Sequence, residues 1–450
     1  MKRVPSAIRH FATVFREHGH ELFVVGGAVR DRLLGRPVSD YDFATSATPQ
    51  EVRDLFRRTI PTGIAHGTVT VLHSGRSLEV TTYRVDGDYS DHRRPDEVTF
   101  TRSLHEDLAR RDFTINAIAL DPSDGSLHDP FNGRADLREG VVRCVGEPAR
   151  RFEEDALRML RALRFACVLE FRVDSATWSA LCSHSAGITD VASERIMTEL
   201  GKIMAARRPS IGLRLMHDSG LLAAIMPELE EYRAAAEREP GLASLFEHLI
   251  RTTDCAPAEP PALRWAALLH DIAKPRCMAY DERGLHFHGH DERGAEMARA
   301  ILERLRAPRA LTETTAHLVR HHMFGIDGAA SDAALRRFIA RVTAERVLQL
   351  TALRRADICG KGGSTARPEL ARLEQRLERM LSEQPALGVQ DLAVNGKDLI
   401  ARLERPPGPW VGLVLNELLQ TVLDDPETNS RDQLLEIATR FVRERMDKDQ

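Results

Sequence analysis

Long apolar runs are missing from this chain of 450 residues. No stretch approaches the roughly 20 consecutive apolar residues that a membrane-spanning helix needs. The charged start Met1–His10 also lacks the apolar segment of a secretion leader. We therefore predict a cytosolic protein, placed in the cytoplasm, that makes no membrane contact.

Cysteine is scarce and scattered along the chain. The six cysteines form no C-x-x-C pair, so they match neither a redox motif nor a metal motif. We predict six reduced thiols, in the core or at the surface, rather than a disulfide framework.

Lysine is rare, and a large excess of one charge is absent. Only six of the 63 basic residues are lysine, and the formal net charge is −4. This balance alone does not indicate a nucleic-acid partner. Arginine pairs that share one face can still bind RNA. Such pairs occur at Arg93-Arg94, Arg110-Arg111, Arg150-Arg151, Arg207-Arg208 and Arg354-Arg355.

Strand signals are nearly missing from Phe152 onward. Residues 1 to about 140 mix alternating apolar segments with turn residues, which predicts strands and helices together. Beyond Phe152, apolar residues recur at helical spacing. The length suggests about three domains. We predict an α/β head followed by a long all-helical body.

The segment Leu22–Asp31 predicts an anion-binding turn. Four apolar residues run into Gly26 and Gly27, and a helical pattern follows. Bare backbone N–H groups at such a turn bind phosphate. Asp40 and Asp42 point the same way if they lie on a strand, and paired carboxylates bind Mg²⁺. The combination predicts metal-dependent nucleotidyl transfer; the alternative is a plain turn and a solvated loop.

Other polar residues of the head extend this hypothesis. Glu79, on a neighbouring predicted strand, can supply the third carboxylate of a two-metal site, or it is an ordinary strand glutamate. Arg110 and Arg111 can hold phosphates, and Asp112 and Asn116 can bond a ribose. The alternative for that segment is a charged helix start with a capping aspartate.

The segment around Asp155 suggests a way to read a base. On one helix, Asp155 and Arg158 share a face, and so do Glu154 and Arg158. Cytosine and adenine each present an amino donor beside a ring-nitrogen acceptor, which an aspartate and an arginine complement. Uracil and guanine have the opposite polarity and leave the site's polar groups unpaired. The alternative is a surface salt bridge.

Five motifs in order resemble the class II tRNA nucleotidyltransferase and poly(A) polymerase family, which includes the CCA-adding enzymes. The motifs are Gly26-Gly27-x-x-Arg30-Asp31, Asp40-x-Asp42, Arg110-Arg-Asp-Phe-Thr-Ile-Asn116, Asp129-Pro-Phe-x-Gly133 and Glu154-Asp-x-x-Arg158. The resemblance implies a polymerase-β-like nucleotidyltransferase head, α/β (α+β) in class, followed by an all-α neck, HD body and tail. It also implies addition of CCA to tRNA from CTP and ATP without a template.

The resemblance assigns roles to residues of this chain. Asp40 and Asp42 would bind Mg²⁺, with Glu79 as the third catalytic carboxylate. The nucleotide-binding residues would be Gly26, Gly27, Arg30, Arg111, Asp112, Asn116, Asp155, Arg158 and Arg161.

Two segments bear on the subtype. Asp86–Asp96 resembles the full-length flexible loop needed to switch to ATP, and Thr62–Thr70 resembles the version found in CCA-adding members. An A-adding enzyme or a poly(A) polymerase of the same family remains the alternative.

Histidines are concentrated in the helical body, where eight of the 18 lie between His248 and His322. Imidazoles and carboxylates together form transition-metal sites. The order His, His-Asp, Asp and the segment Leu268–Pro275 resemble the HD phosphohydrolase superfamily, whose members hydrolyse phosphorylated or cyclic phosphate ends. The metal would be Mn, Ni, Co or Fe.

The resemblance implies a ligand set for this second site. The primary ligands would be His248, His270, Asp271 and Asp357. His290 and His321 would be available for a second metal, and the remaining histidines, His286, His288, His317 and His322, are assigned to the surface or the core.

These expectations divide the chain into four parts. They are a head (1–140), a neck with the base-reading helix and an RNA-binding region (141–235), an HD domain (236–360) and a tail that contacts tRNA (361–450). A monomer or homodimer is expected. Two other readings remain open: an HD phosphohydrolase with an inactive head, and a non-catalytic tRNA-binding scaffold.

Overall fold

A computed structural model describes residues 4–38, 40–87, 98–239, 244–282, 284–363, 367–383 and 385–446. Most of the segment Asp86–Asp96, which resembles a flexible loop, lies outside the described residues. The chain forms two compact units. The first comprises Met1–Arg238 with Arg304–Arg306, and the second comprises Glu239–Glu303 with Ala307–Gln450.

The first part of unit 1 is a mixed sheet with helices. The helices are α1 (Ser6–Glu17), α2 (Gly27–Leu33), α3 (Pro49–Leu55), α4 (Leu104–Ala109) and α5 (Gly133–Glu139). The strands are β1 (Leu22–Val25), β2 (Asp42–Thr45), β3 (Thr59–Gly63), β4 (Thr68–His73), β5 (Arg76–Thr82), β6 (Arg84–Asp86), β7 (Val98–Phe100), β8 (Ala119–Leu120) and β9 (Leu127–His128).

The main sheet places the sequence motifs at its centre. Its strand order is β3-β4-β5-β2-β1-β8-β9. Only the β2–β5 pair is parallel among these neighbours. All four residues of β1 are buried, as expected for an apolar strand with partners on both edges. The strands β6 and β7 form a separate two-stranded ribbon.

Helix α1 covers this sheet with one apolar face. Ile8, Phe11 and Phe15 are fully buried, and their spacing puts them on one side of the helix. Phe11 packs edge-to-face on Phe43 of β2, with ring centroids 5.2 Å apart. The helix therefore supports the strand that begins with Asp42.

The remainder of unit 1 is mainly helical. It contains β10 (Val141–Val142), α6 (Pro148–Glu154), α7 (Leu157–Leu169), β11 (Arg172–Val173), α8 (Ser175–His184), α9 (Ser193–Met204), α10 (Pro209–Asp218), α11 (Leu221–Ile225) and α12 (Glu231–Arg238). At Gly212 on α10, an added Cβ would lie 2.7 Å from Ile203 and 3.2 Å from Cys167. The helices α7, α9 and α10 therefore pack closely at this glycine.

The prediction of one continuous helix through Asp155 and Arg158 is wrong. Asp155 has φ −152° and ψ 101°, which is extended backbone, so α6 ends at Glu154 and α7 begins at Leu157. The Asp155 Oδ1 accepts a hydrogen bond from the Leu157 backbone N–H at 3.1 Å. The aspartate thus occupies the start of a new helix, where such side chains satisfy unpaired N–H groups.

Over its described residues, unit 2 is helical apart from one short hairpin. Its elements are α13 (Leu245–Cys255), α14 (Ala262–Leu269), β12 (Ala279–Asp281), β13 (Gly284–His286), α15 (His290–Arg304), α16 (Arg309–His321), α17 (Asp332–Val342), α18 (Ala344–Gly360), α19 (Pro368–Ser382), α20 (Gly396–Leu403), α21 (Trp410–Asp424) and α22 (Arg431–Phe441), followed by a π-helical turn (Val442–Met446).

The centre of unit 2 is α14. All eight of its residues are buried, so this helix is surrounded by others rather than amphipathic. His270 and Asp271 follow directly after it and are 1% and 2% exposed. The tail has a separate apolar core, which includes Leu399, Val414, Leu418 and Leu434.

The prediction that every cysteine is a reduced thiol is wrong. Cys255 and Cys359 form a disulfide, with their Cα atoms 6.1 Å apart. The two residues are separated by 104 positions in the sequence, so spacing gives no indication of the pairing. The other four cysteines are free thiols, and Cys144 and Cys167 are buried.

Within the described residues, no helix combines the length and the apolar character that crossing a bilayer requires.

Candidate active site and metal centre

The head carboxylates lie where β1, β2 and β5 meet. Asp42 is the first residue of β2 and is in register with Val25 of β1 and Glu79 of β5. A Cβ added at Gly26 would lie 3.9 Å from Asp42 Oδ2 and 3.6 Å from Arg111 Nη1. The glycine turn, one carboxylate and one guanidinium thus converge at the end of the central strands.

The electrostatics of Asp42 favour a bound cation. The protein atoms around this carboxylate reduce its solvation, which raises its pKa; Arg111 lowers it, and the nearby Asp40 raises it further. A cation between two carboxylates relieves both the desolvation and the repulsion. The donor set is therefore of the kind that hard divalent cations such as Mg²⁺ prefer.

Glu79 lies next to Asp42 but is exposed. Neighbouring strands are about 4.8 Å apart, so residues in register are close. However, the sets of three ligand atoms within 4.8 Å that occur in the described residues lie elsewhere in the chain. The backbone therefore places Glu79 beside Asp42, but the carboxylate oxygens of Asp40, Asp42 and Glu79 do not all lie within 4.8 Å of one another.

Arg30 is held in place by a hydrogen bond, an ion pair and an aromatic contact. Its Nη1 donates to Asn116 Oδ1 at 3.0 Å, and its Nε is 2.9 Å from Asp31 Oδ1. The guanidinium also lies over the ring of Phe165, 5.0 Å from the centroid. These contacts tie the glycine turn to helix α7.

Asp112 continues the network into the neck. Its Oδ2 accepts hydrogen bonds from Arg161 Nε at 2.9 Å and Nη2 at 2.6 Å. Its Oδ1 accepts from Asn116 Nδ2 at 3.2 Å. Burial raises the pKa of Asp112, but Arg161 outweighs this and holds it below its usual range. The predicted nucleotide-binding residues Arg30, Asn116, Asp112 and Arg161 therefore form one connected chain.

Asp107 holds two arginines instead of capping helix α4. Ser103, not Asp107, caps helix α4, because its hydroxyl accepts from the Glu106 backbone N–H. Asp107 is fully buried and pairs with Arg110 at 2.7 Å and Arg111 at 3.1 Å. The aspartate therefore fixes the arginine that faces Asp42.

The predicted base-reading residues have separate partners. Arg158 Nη1 donates to a Glu154 carboxylate oxygen and, at 3.2 Å, to the Arg151 carbonyl. Asp155 Oδ2 accepts from Arg195 Nη2 at 2.8 Å. Each side chain is therefore held by a charged neighbour.

A second group of side chains lies in unit 2. Two sets have ligand atoms within 4.8 Å of one another: His248, His270 and Asp271, and Asp271, His290 and His322. Asp271 belongs to both sets. Its Oδ2 is 3.3 Å from His270 Nε2, and its Oδ1 is 3.4 Å from His290 Nε2. A carboxylate shared in this way can bridge two metal ions.

Asp357, on α18, completes the first set. Its Oδ1 is 3.1 Å from His248 Nε2 and 3.5 Å from His270 Nε2. Burial raises the pKa of this carboxyl, but the neighbouring histidines outweigh it and hold the pKa well below its usual range. The four predicted primary ligands are therefore brought together from two helices, α13 and α18, and the segment after α14.

The choice of His321 over His322 is wrong. His322 Nε2 is 3.5 Å from Asp271 Oδ1 and 3.3 Å from His290 Nε2. The His321 ring lies against His317 instead, with centroids 4.5 Å apart. Consecutive residues on a helix point about 100° apart, so only one of the two neighbours can face the site.

Three of the rings present the same nitrogen to the site. The Nδ1 atoms of His270, His290 and His322 donate to the carbonyls of Ala267, Phe287 and Val319, at 2.7–2.9 Å. Such bonds fix the ring and leave Nε2 to bind a metal. Burial lowers the pKa of His270, but Asp271 and Asp357 outweigh this effect and raise the pKa to about 9. The arrangement fits a divalent transition metal.

Comparisons with known proteins identify the family of this chain. Residues 22–143 match the family model "Poly A polymerase head domain", and residues 170–233 match "Probable RNA and SrmB- binding site of polymerase A". Residues 238–361 match "HD domain".

The chain is 34% identical to a CCA-adding enzyme of Geobacillus stearothermophilus over 93% of both chains. It is 34% identical to one of Enterococcus faecalis, over 97% of this chain and 96% of the relative. The chain belongs to the family of CCA-adding enzymes.

Solved structures of CCA-adding enzymes share the fold. The Bacillus stearothermophilus enzyme in complex with CTP has a TM-score of 0.78 and 31% identity, and the match covers 100% of both chains. The Thermotoga maritima enzyme complexed with tRNA_CCA has a TM-score of 0.58 and 21% identity, over 98% of this chain and 97% of that one. The predicted polymerase-β-like head, helical regions and HD domain are confirmed.

In this member of the CCA-adding enzymes, sequence reasoning missed three residues that contact site residues. Asp107 holds Arg111, Arg195 pairs with Asp155, and His322 faces Asp271. The dense charges around Asp107 were a usable signal. No signal joined Arg195 to a residue 40 positions away, and the adjacent histidines were indistinguishable without the helix orientation.

Proposed function

We propose that this protein adds C, C and A to the 3′ end of tRNA from CTP and ATP, without a nucleic-acid template. The full-length similarity to CCA-adding enzymes carries the proposal. A relative solved with CTP and a structural neighbour solved with tRNA support the same substrates. The converging glycine turn, Asp42 and Arg111 supply a matching site.

In the proposed reaction the head residues bind and orient the triphosphate. Asp40 and Asp42 would hold Mg²⁺, with Glu79 as the third carboxylate. A metal held there would lower the pKa of the attacking tRNA 3′-hydroxyl and would neutralise charge on the leaving pyrophosphate. Arg111 lies beside Asp42 across Gly26, where its positive charge would meet the phosphates. Gly26 and Gly27 leave room for the triphosphate, and Arg30 would approach it from α2.

We also propose that Asp155 and Arg158 select the base. The aspartate would accept a hydrogen bond from the amino group of cytosine or adenine, and the arginine would donate to the ring nitrogen. Asn116, Asp112 and Arg161 would support the nucleotide from the connected network. UTP and GTP would be rejected because their reversed polarity sets an acceptor against the aspartate and a donor against the arginine.

A primer-extension assay tests the addition. The protein is incubated with Mg²⁺ and tRNA lacking its last three nucleotides, in lanes with CTP, with ATP and with both. We expect two additions with CTP alone and three with both. Growth only on a tRNA already ending in CC would indicate an A-adding enzyme, and long A tails would indicate a poly(A) polymerase. The absence of any addition would refute the proposal and favour the HD site as the main activity.

We propose a second activity for the HD site: metal-dependent hydrolysis of phosphate monoesters or 2′,3′-cyclic phosphates at RNA ends. The observation that favours it is the pair of ligand sets that share Asp271. The metal would be Mn, Ni, Co or Fe. The ligands would be His248, His270, Asp271 and Asp357, with His290 and His322 at the second position.

Adjacent histidines give a matched test of this site. His322→Ala should lower hydrolysis of a 2′,3′-cyclic nucleotide, measured with each metal in turn, because it removes a ring that faces Asp271. His321→Ala changes a ring that lies against His317 and should leave hydrolysis unchanged. Equal effects of the two substitutions would refute the ligand set. No hydrolysis with any metal would refute the activity.

We retain the division into head (1–140), neck (141–235), HD domain (236–360) and tail (361–450) as part of the proposal. The limits of the three matching family models support the first three parts. The separate apolar core of the tail supports the fourth. The tail is proposed to contact the tRNA backbone by shape.

A further inference from the structure

The disulfide joins α13 and α18, the helices that carry His248 and Asp357 of the first ligand set in unit 2. Cys255 is the last residue of α13, which carries His248. Cys359 is the last residue but one of α18, which carries Asp357. His248 Nε2 and Asp357 Oδ1 are 3.1 Å apart. The covalent bond therefore lies close to a contact between two predicted ligands.

The two helices touch backbone to backbone beside the bond. A Cβ added at Gly360 would overlap Thr252, so α13 and α18 approach as closely as glycine permits. The Thr252 hydroxyl donates to the His248 carbonyl at 2.8 Å and lies 3.4 Å from His248 Nδ1. His248, Thr252 and Cys255 share one face of α13. A change at Cys255 can therefore reach His248 through two turns of helix.

The disulfide also lies at the ends of both helices, where a covalent bond restricts the most backbone motion. Terminal turns fray more readily than helix interiors, and each cysteine is in the last turn of its helix. Cys255 and Cys359 are both partly exposed, and partial exposure favours exchange with small thiols and disulfides. By contrast, Cys144 and Cys167 are buried in unit 1.

We propose that Cys255 and Cys359 are a reversible thiol–disulfide pair whose oxidation tightens metal binding at the HD site. In the oxidising step the two thiols lose two protons and two electrons and form one S–S bond. A small-molecule disulfide accepts the electrons, and its own S–S bond breaks to give two thiols. A dithiol reductant reverses the step.

The coupling works because the bond fixes the ends of α13 and α18 against each other. With the bond closed, His248 and Asp357 stay at the separation at which both can face one ion. With the bond open, the last turns are free to separate, and ordering them again costs part of the binding free energy. The coupling rests on the HD metal site proposed above, whereas the bond itself does not.

Thermodynamic linkage makes the coupling reciprocal. If oxidation strengthens metal binding by some factor, bound metal must stabilise the disulfide against reduction by the same factor. Couplings between two sites are typically about 5- to 150-fold. We expect an effect of roughly tenfold, since one bond constrains two of the four primary ligands.

Peptide mapping tests the bond. The full chain is equilibrated with oxidised or reduced glutathione, alkylated under denaturing conditions, digested and analysed by mass spectrometry. We expect Cys255 and Cys359 as a linked peptide pair after oxidation and as two alkylated peptides after reduction. Cys277→Ser, at a free thiol of the same unit, should leave the linked pair in place. Full alkylation of both cysteines after oxidation would overturn the proposal.

Metal titration tests the coupling. Mn²⁺ alone is titrated into the full chain carrying Asp40→Ala and Asp42→Ala, which removes the head carboxylates, and free Mn²⁺ is read by electron paramagnetic resonance. The Kd should be about tenfold lower for the oxidised than for the reduced protein. The double variant Cys255→Ser, Cys359→Ser should bind like the reduced protein under both conditions.

The reciprocal measurement completes the test. Saturating Mn²⁺ should shift the glutathione ratio at half-reduction by the same factor, towards more reducing conditions. A mapped bond with equal Kd values in both states would refute the coupling alone. If neither state binds Mn²⁺, the HD metal-site proposal fails together with the coupling.

Discussion

Single hydrogen bonds decide which atoms face the candidate metal centre. Three imidazoles donate their Nδ1–H to a carbonyl three residues earlier in the chain. Each ring is therefore oriented by its own local backbone, and Nε2 is directed inward. At the head, Asp107 acts similarly by fixing Arg111 from a fully buried position. Residues outside the predicted ligand sets thus determine the geometry of both sites.

Asp42→Asn should reduce nucleotide addition at least about 100-fold, which corresponds to about 2.7 kcal/mol of barrier. The amide removes the charge of a desolvated carboxylate that faces Arg111 and Asp40. Binding of tRNA, measured by filter retention, should be unchanged. Asp54→Asn, at an exposed position on α3, serves as the control. Residual addition above a few per cent of the wild-type rate would contradict the metal assignment.

His317 should make unit 2 sensitive to acid. Burial, His321 and Arg346 lower the pKa of this ring to about 4, and its Nε2 donates to the Val342 carbonyl at 3.0 Å. The unfolded chain binds the proton near pH 6.5, so stability falls as the pH drops from about 6.5 to about 4. Above that window the ring is neutral in both states and contributes no pH dependence.

His317→Gln should reduce this acid sensitivity. Glutamine retains a donor for Val342 but cannot titrate. The measurement is the free energy of unfolding by urea at pH 7 and pH 5, compared with His288→Gln at an exposed histidine of the same unit. An identical pH dependence in the wild type and in His317→Gln would show that this ring is not responsible.

At the scale of helices, the break at Asp155 shapes the proposed base-reading site. Because α6 ends at Glu154, Asp155 lies in the break between the helices and Arg158 lies in the first turn of α7. Glu154, the last residue of α6, pairs with both Arg151 and Arg158. The carboxylate therefore holds the arginine across the break.

Glu154→Gln should weaken the choice between CTP and UTP about tenfold, since a hydrogen bond to a charged group contributes about 1.5–3 kcal/mol. The measurement is the ratio of kcat/KM for CTP and UTP on tRNA that lacks its last three nucleotides. Glu153→Gln is the matched control, because Glu153 is the adjacent residue in the sequence and its side chain is 65% exposed. Unchanged discrimination in Glu154→Gln would refute the positioning role.

At the scale of the whole molecule, the chain carries its two candidate sites in two separate compact units. The head carboxylates lie in the first unit, and the histidine–aspartate sets lie in the second. Each unit has its own buried residues, so each site can form on its own local support. We therefore expect the two activities to be independent.

Reciprocal substitutions test this independence. Asp271→Ala should abolish hydrolysis at the HD site, because both ligand sets include this residue, and should leave CCA addition within twofold of the wild type. Asp42→Asn should have the opposite pattern. Both activities are measured on the same preparations, with circular dichroism as a check on folding. Loss of addition in Asp271→Ala would show that the units do not act separately.

Local patterns in the sequence were sufficient to predict much of the fold and of the candidate sites. The apolar run before Gly26, the Asp40-x-Asp42 pair and the His270-Asp271 segment each depend on neighbours within a few residues. Such neighbours are held together by the chain itself, so the order of residues predicts their proximity. The mixed head and the helical body followed from the same short-range periodicities.

The tertiary structure alone decided the contacts that join distant positions or depend on a rotation angle. Cys255 meets Cys359 across 104 residues, and Arg195 meets Asp155 across 40. His322 rather than His321 faces Asp271 because the packing of α16 sets which side of the helix end points inward. Sequence spacing fixes distances along the chain, whereas packing of the buried surfaces sets distances through space.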